Sequence, residues 1–138
     1  MFFNKKKSNE SNSYNLVKIA ALLIHAARID EKYSIEEEEI IKKTLINLGT
    51  NQNELETIIK EAKQSEKNTH QILDFTKEIK KLKEKDKIKI IRSLWRIIYS
   101  NKDADIYETN LMRRLSGLLY IDSKTMGDIM EQIKKENL

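Results

Sequence analysis

The stretch "IDEKYSIEEEEI", residues 29–40, carries six carboxylates and one lysine. Carboxylates at this density can hold a hard cation such as calcium, can pair as general acid and base, or can start a helix. The cation reading needs several oxygens to converge, and it draws on Asp30, Glu37 and Glu38. A second stretch, "NKDADIYETNLM", residues 101–112, offers Asn101, Asp103, Asp105 and Glu108. Its alternate spacing is that of a calcium loop, but the match then fails. Ile106 takes the place of the required glycine and Met112 that of the bidentate glutamate. The first stretch has Lys32 at a ligand position and Ile41 at the end. An EF-hand is excluded, and a looser divalent-cation site at either stretch stays open. An acid–base pair needs environments that push two pKa values apart, which four glutamates on an exposed helix start do not provide. The helix-start reading has its own mechanism and is favoured. Ser34 accepts a backbone N–H, Glu37 returns the bond in a capping box, and Glu36 to Glu39 sit where the helix dipole favours negative charge.

Other chemistry is sparse. His25 and His70 have no serine, cysteine or second histidine at useful spacing, and such residues are mostly structural or solvated. There is no glycine-rich phosphate loop, nucleophile elbow or HExxH. Residues 77–92, "KEIKKLKEKDKIKIIR", hold seven lysines and one arginine against three acids. Lys80, Lys81, Lys83, Lys85 and Lys87, with Arg113 and Arg114 further on, are the candidate interaction surface. Its partners by chemistry are an acidic protein or an anionic membrane. Nucleic acid is disfavoured, since few aromatics interleave with the lysines to stack bases.

The elements that must position these residues are helical. The 138 residues suit one domain with a core, and proline is absent and glycine occurs three times. Without cysteine there are no disulfides or thiolate sites, which fits a cytoplasmic protein. No apolar run nears the length of a membrane span. Residues 1–13 read as a mobile tail whose Phe2, Phe3 and Lys5 to Lys7 form at most a weak membrane-surface anchor. Residues 14–138 read as one helical domain, a monomer or weak dimer.

Apolar periodicity predicts a first helix over about 14–29. A second starts at Ser34 and stops before Gly49, a C-cap glycine. A third is capped by Asn51 and followed by "SEKNT" as a loop. A fourth is capped by Thr69. "KEKDK", 83–87, breaks the pattern before the fifth. The sixth starts at Asp105 and the seventh near Asp122. Shifting the chain by 71 positions aligns Lys18 with Lys89, Leu23 with Leu94, Glu37 with Glu108 and Leu48 with Leu119. Ser34 and Asp105 also align, each with a glutamate three residues on. The expected fold is all-α: a seven-helix bundle of two related three-helix units around a central fourth helix near 69–83.

"AALLIHAARIDEKYSIEEEEI" and "LWRIIYSNKDADIYETNLMRRLSGLL" resemble the two signature stretches of the TerB-like family of tellurite-resistance proteins, and in particular its short bacterial members. Leu94, Trp95, Tyr107, Glu108, Arg113 and Arg114 carry the likeness, and "DFTKEI" resembles the family's middle helix. The family's Asp-Gly pairs fall on Asp30-Glu31 and Asn101-Lys102, so both glycines and the second aspartate are replaced here. The resemblance implies a seven-helix, non-enzymatic interaction module linked to stress or tellurite resistance, with divalent metal and membrane-associated complexes as its expected associations.

Overall fold

Residues 16–28 form the first helix, α1, and almost every side of it is apolar. Ala20 to Ile24 and Ala27 are fully buried. A helix that is hydrophobic all round belongs inside a protein, and α1 accordingly runs through the core. The computed structural model describes residues 16–29, 33–68, 72–100 and 104–136; the tail at 1–13 lies outside them.

Six further helices follow: α2 (Ile35–Asn47), α3 (Gln52–Asn68), α4 (Leu73–Ile79), α5 (Glu84–Tyr99), α6 (Ile106–Leu118) and α7 (Ser123–Glu136). Their apolar stripes agree with the expected ones. Ile41 and Leu45 of α2, Leu55, Ile58, Ile59 and Ala62 of α3, and Leu111 and Leu115 of α6 are all buried. The second structural axis is α5, where Ile90, Ile91, Leu94, Ile97 and Ile98 are fully buried. It packs against both α2 and α7, while α3 lies on α2 and α4 on α6. Trp95 stacks on Tyr99 with ring centroids 5.9 Å apart. The short α4 contributes Phe75, Thr76 and Ile79 to the interior.

Three boundaries differ from the sequence expectation. Ser65 to Asn68 are not a loop but the last turn of α3. Glu66 in that turn is drawn inward by Arg28, whose Nη1 donates to Oε1 at 2.7 Å. The break before α5 falls at 80–83, so Glu84 to Lys87 are helical rather than pattern-breaking. Lys83 is extended there, and Glu84 and Asp86 occupy the first turn, where their charge suits the helix dipole. The fourth helix is only two turns long, and Ile72 at its start makes no side-chain cap; Thr69 lies outside the described residues.

Candidate functional site

Both acidic stretches fold into capping boxes. At α2, Ser34 Oγ accepts from the Glu37 N–H at 3.1 Å, and Glu37 Oε1 accepts from the Ser34 N–H at 2.9 Å. At α6, Asp105 Oδ1 accepts from the Glu108 N–H at 2.8 Å, and Glu108 Oε1 accepts from the Asp105 N–H at 3.1 Å. The expected exposed glutamate run needs one correction: Glu37 is 1% exposed and Glu108 5%. Reaching back to the backbone carries each carboxylate inward.

Glu38 points elsewhere. Its carboxylate accepts from Tyr33 Oη at 3.2 Å and pairs with Lys63 Nζ at 3.0 Å, with Lys42 3.9 Å away. Burial alone disfavours its charge, but the bond and field of Lys63, helped by Tyr33 and Lys42, outweigh that and hold the carboxyl below its ordinary range. Burial and the facing Glu38 push the Tyr33 phenol up. Asp30 and Asp103 lie outside the described residues. Among the described residues, no three histidine, aspartate or glutamate side chains converge as a metal site requires.

The basic candidates separate. Lys80, Lys81, Lys83 and Lys85 are exposed near the α4–α5 turn. Lys87 does not join them. It is 7% exposed, and its ammonium donates to the Leu119 carbonyl at 3.0 Å. The ring of Tyr120 lies 5.8 Å from the same ammonium. Lys87 therefore satisfies a C-terminal carbonyl of α6 from within, a role helix ends need, and it is removed from the interaction surface. Arg113 and Arg114 are exposed but line different clefts, Arg113 beside Trp95 and Met126, Arg114 beside His25 and Tyr107.

One feature escaped the sequence reading. Tyr120 follows α6 with φ of 58°, and it is the one non-glycine residue with positive φ among those described. It is 72% exposed, and Leu73 beside it is 52% exposed. The two side chains line a cleft of about 310 Å³ with Thr76, Lys77 and Lys80. The signal was present in the 71-residue shift, which lays Tyr120 on Gly49, a tyrosine where the first half has its C-cap glycine. Across the molecule, Glu66 also gathers a polar cluster, with His25 Nδ1 3.7 Å from its Oε2.

No curated protein and no solved structure matches the chain. Among the described residues no helix is long and apolar enough to cross a membrane. The family model for tellurite resistance protein TerB spans residues 16–131 of the 138. That span takes in both capping boxes, the lysine-bearing turn and the Tyr120 corner, and the chain belongs to the TerB family.

Proposed function

We propose that this TerB module is a non-enzymatic binding protein whose docking face is the corner between α4 and the α6–α7 turn. Its partner is an acidic protein segment that also carries apolar side chains. The observation that supports this most is Tyr120. A bulky residue in the left-handed region costs about 1–2 kcal/mol, and such strain collects where function retains it. Here it holds an aromatic ring in solvent beside exposed Leu73. Aromatic residues are favoured anchors in protein interfaces. Lys77 and Lys80 rim the same cleft, and exposed Lys81, Lys83 and Lys85 follow. This gives the face an apolar centre and a basic border. The stress-response setting that the family name carries is part of the same proposal.

The divalent-cation reading gains no comparable support, because the described carboxylates Glu37, Glu38, Asp105 and Glu108 are engaged in caps and ion pairs.

The test is capture from the native cell by the wild-type chain and by a Leu73→Ser, Tyr120→Gly double variant. The expected result is an acidic protein retained by the first and lost by the second, and then bound directly by the purified wild type. Equal retention by both chains, or metabolite turnover by the purified protein, overturns the reading.

A further inference from the structure

A further cleft lies between α2 and α5, with a volume of about 470 Å³, within the range of small-molecule sites. Lys89, Arg92 and Arg96 reach it from one face of α5, at helical spacings of three and four, and Lys43 faces them from α2. Thr44 and Ser93, with Ile40 and Asn47, complete it. The hydroxyls of Thr44 and Ser93 hydrogen-bond to each other, and Thr44 Oγ1 donates onward to the Ile40 carbonyl at 2.9 Å. Thr44 and Ser93 are buried. The cleft thus has cationic walls and an uncharged polar base, and no carboxylate lines it.

The walls are under-neutralised. Among the described residues, no carboxylate lies within ion-pair distance of Lys43, Lys89 or Arg92. Lys89 has only a long 3.5 Å bond to the Asn47 carbonyl, and Arg92 a 3.4 Å bond to Gln132. Arg96 alone is forked by a carboxylate, that of Glu136 on α7, with both contacts at 3.2 Å. Concave surfaces lined by one sign of charge focus field and concentrate counter-ions. A carboxylate ligand offers two oxygens and one charge, which a single guanidinium satisfies. Cations arriving from two helices match a group with more oxygens and more charge, and guanidinium forks suit phosphate geometry.

We infer that the α2–α5 cleft binds a dianionic phosphate monoester, held by Lys43, Lys89 and Arg92, with Arg96 released from Glu136 to join them. The site is independent of the proposed docking corner and shares no residue with it. The cleft has no aromatic lining, so base stacking of the single-strand kind is not available there. The phosphate can belong to a soluble metabolite or to a lipid headgroup, and the experiment separates these sources.

The full chain is titrated at low salt with inorganic phosphate, with glycerol 3-phosphate, and with phosphatidylcholine vesicles with and without phosphatidic acid. Arg92→Gln is expected to weaken binding about tenfold, the loss of one charge-assisted contact. Glu136→Gln is expected to strengthen it several-fold, because Arg96 loses its competing carboxylate. A Lys80→Gln, Lys81→Gln double variant is expected to bind as wild type does. All three change exposed residues, and unchanged helicity confirms that they fold. Binding of both soluble phosphates identifies a metabolite site. Binding only to phosphatidic acid vesicles, with the same order of variants, identifies a headgroup site. The inference fails if none of the phosphates binds, if Glu136→Gln weakens binding, or if the Lys80, Lys81 variant loses as much as Arg92→Gln.

Discussion

Helices α2 and α6, aligned by the 71-residue shift, begin and end alike. Each opens with a capping box. Each closes with the same pair of bonds: Gly49 N–H to Ile46 O and Thr50 N–H to Leu45 O after α2, Tyr120 N–H to Gly117 O and Ile121 N–H to Ser116 O after α6. The wide bond of each pair is that of a Schellman closure, whose turning residue is left-handed and usually glycine. The first half has Gly49 with φ of 107°, the second Tyr120 with φ of 58°. The same backbone ending is therefore reached once without steric conflict and once against it. The Cβ that causes the conflict carries a ring that lies 5.8 Å from the Lys87 ammonium and stands beside Leu73. A second contrast lies in how α1 is tied to α3 and α5 to α7. Arg28 and His25 of α1 hold the nearly buried Glu66, whereas Arg96 of α5 holds Glu136 in the open. The first tie can act in stability, and the second is left free to exchange.

The largest expected effect tests whether the two core helices are equivalent. Leu23 and Leu94 align and both are fully buried, so Leu23→Ala and Leu94→Ala should each cost about 3 kcal/mol in denaturant unfolding. A gap of more than about 1.5 kcal/mol between them would break the equivalence, since the cost of one truncation varies with how far its site can collapse. Next come the ties. Glu66→Ala should cost about 1 kcal/mol, because a nearly buried carboxylate loses its charge-assisted bond while water re-solvates the exposed guanidinium of Arg28. Glu136→Ala should cost under about 0.5 kcal/mol, as exposed ion pairs do. Equal losses would show that burial does not distinguish them.

The turning residues come third. Gly49→Ala should cost about 1 kcal/mol, purely from the backbone, because an added Cβ there meets nothing within 4 Å. Tyr120→Gly should be close to neutral: relief of roughly 1–2 kcal/mol of strain is offset by the lost cation–π contact, about 0.5–1 kcal/mol, and by the freer unfolded chain, roughly 0.5–1 kcal/mol. A strongly destabilised Tyr120→Gly would make the ring structural and weaken its claim as an anchor. The smallest effect concerns acid. The lowered Glu38 pKa means that its contribution is present above the unfolded carboxyl value and is lost as pH falls through the folded one. Glu38→Gln should melt a degree or two below wild type at neutral pH, from a few tenths of a kcal/mol, and together with it in strong acid. The position aligned with Glu38 is Thr109, which does not titrate, so Thr109→Ala should show no such convergence.

What the chain declares locally, it declares well. Ser34 with Glu37, Asp105 with Glu108, and Gly49 after Leu48 all place helix ends correctly from neighbours within three or four residues. Apolar stripes at helical spacing identify the core for the same reason. The failures share a different cause. The Glu66 carboxylate is met by Arg28 from 38 positions away, and Lys87 is buried because the carbonyl it serves lies 32 positions on. Nothing near either residue signals that partner. The α2–α5 cleft is of this kind too: Lys43 and Arg92 meet only once the helices cross, and no spacing along the chain announces it.

The covered ammonium of Lys87 has a consequence for the chemistry of amines. Acylating reagents attack a lysine only where its nitrogen meets solvent. Lys80 to Lys85 satisfy this in the folded chain, and Lys87 does so only when the Tyr120 ring and the end of α6 part from α5. Its acylation rate, read peptide by peptide against those neighbours, is thus a clock for local opening. A molecule settling on that corner slows the clock without touching the lysine itself.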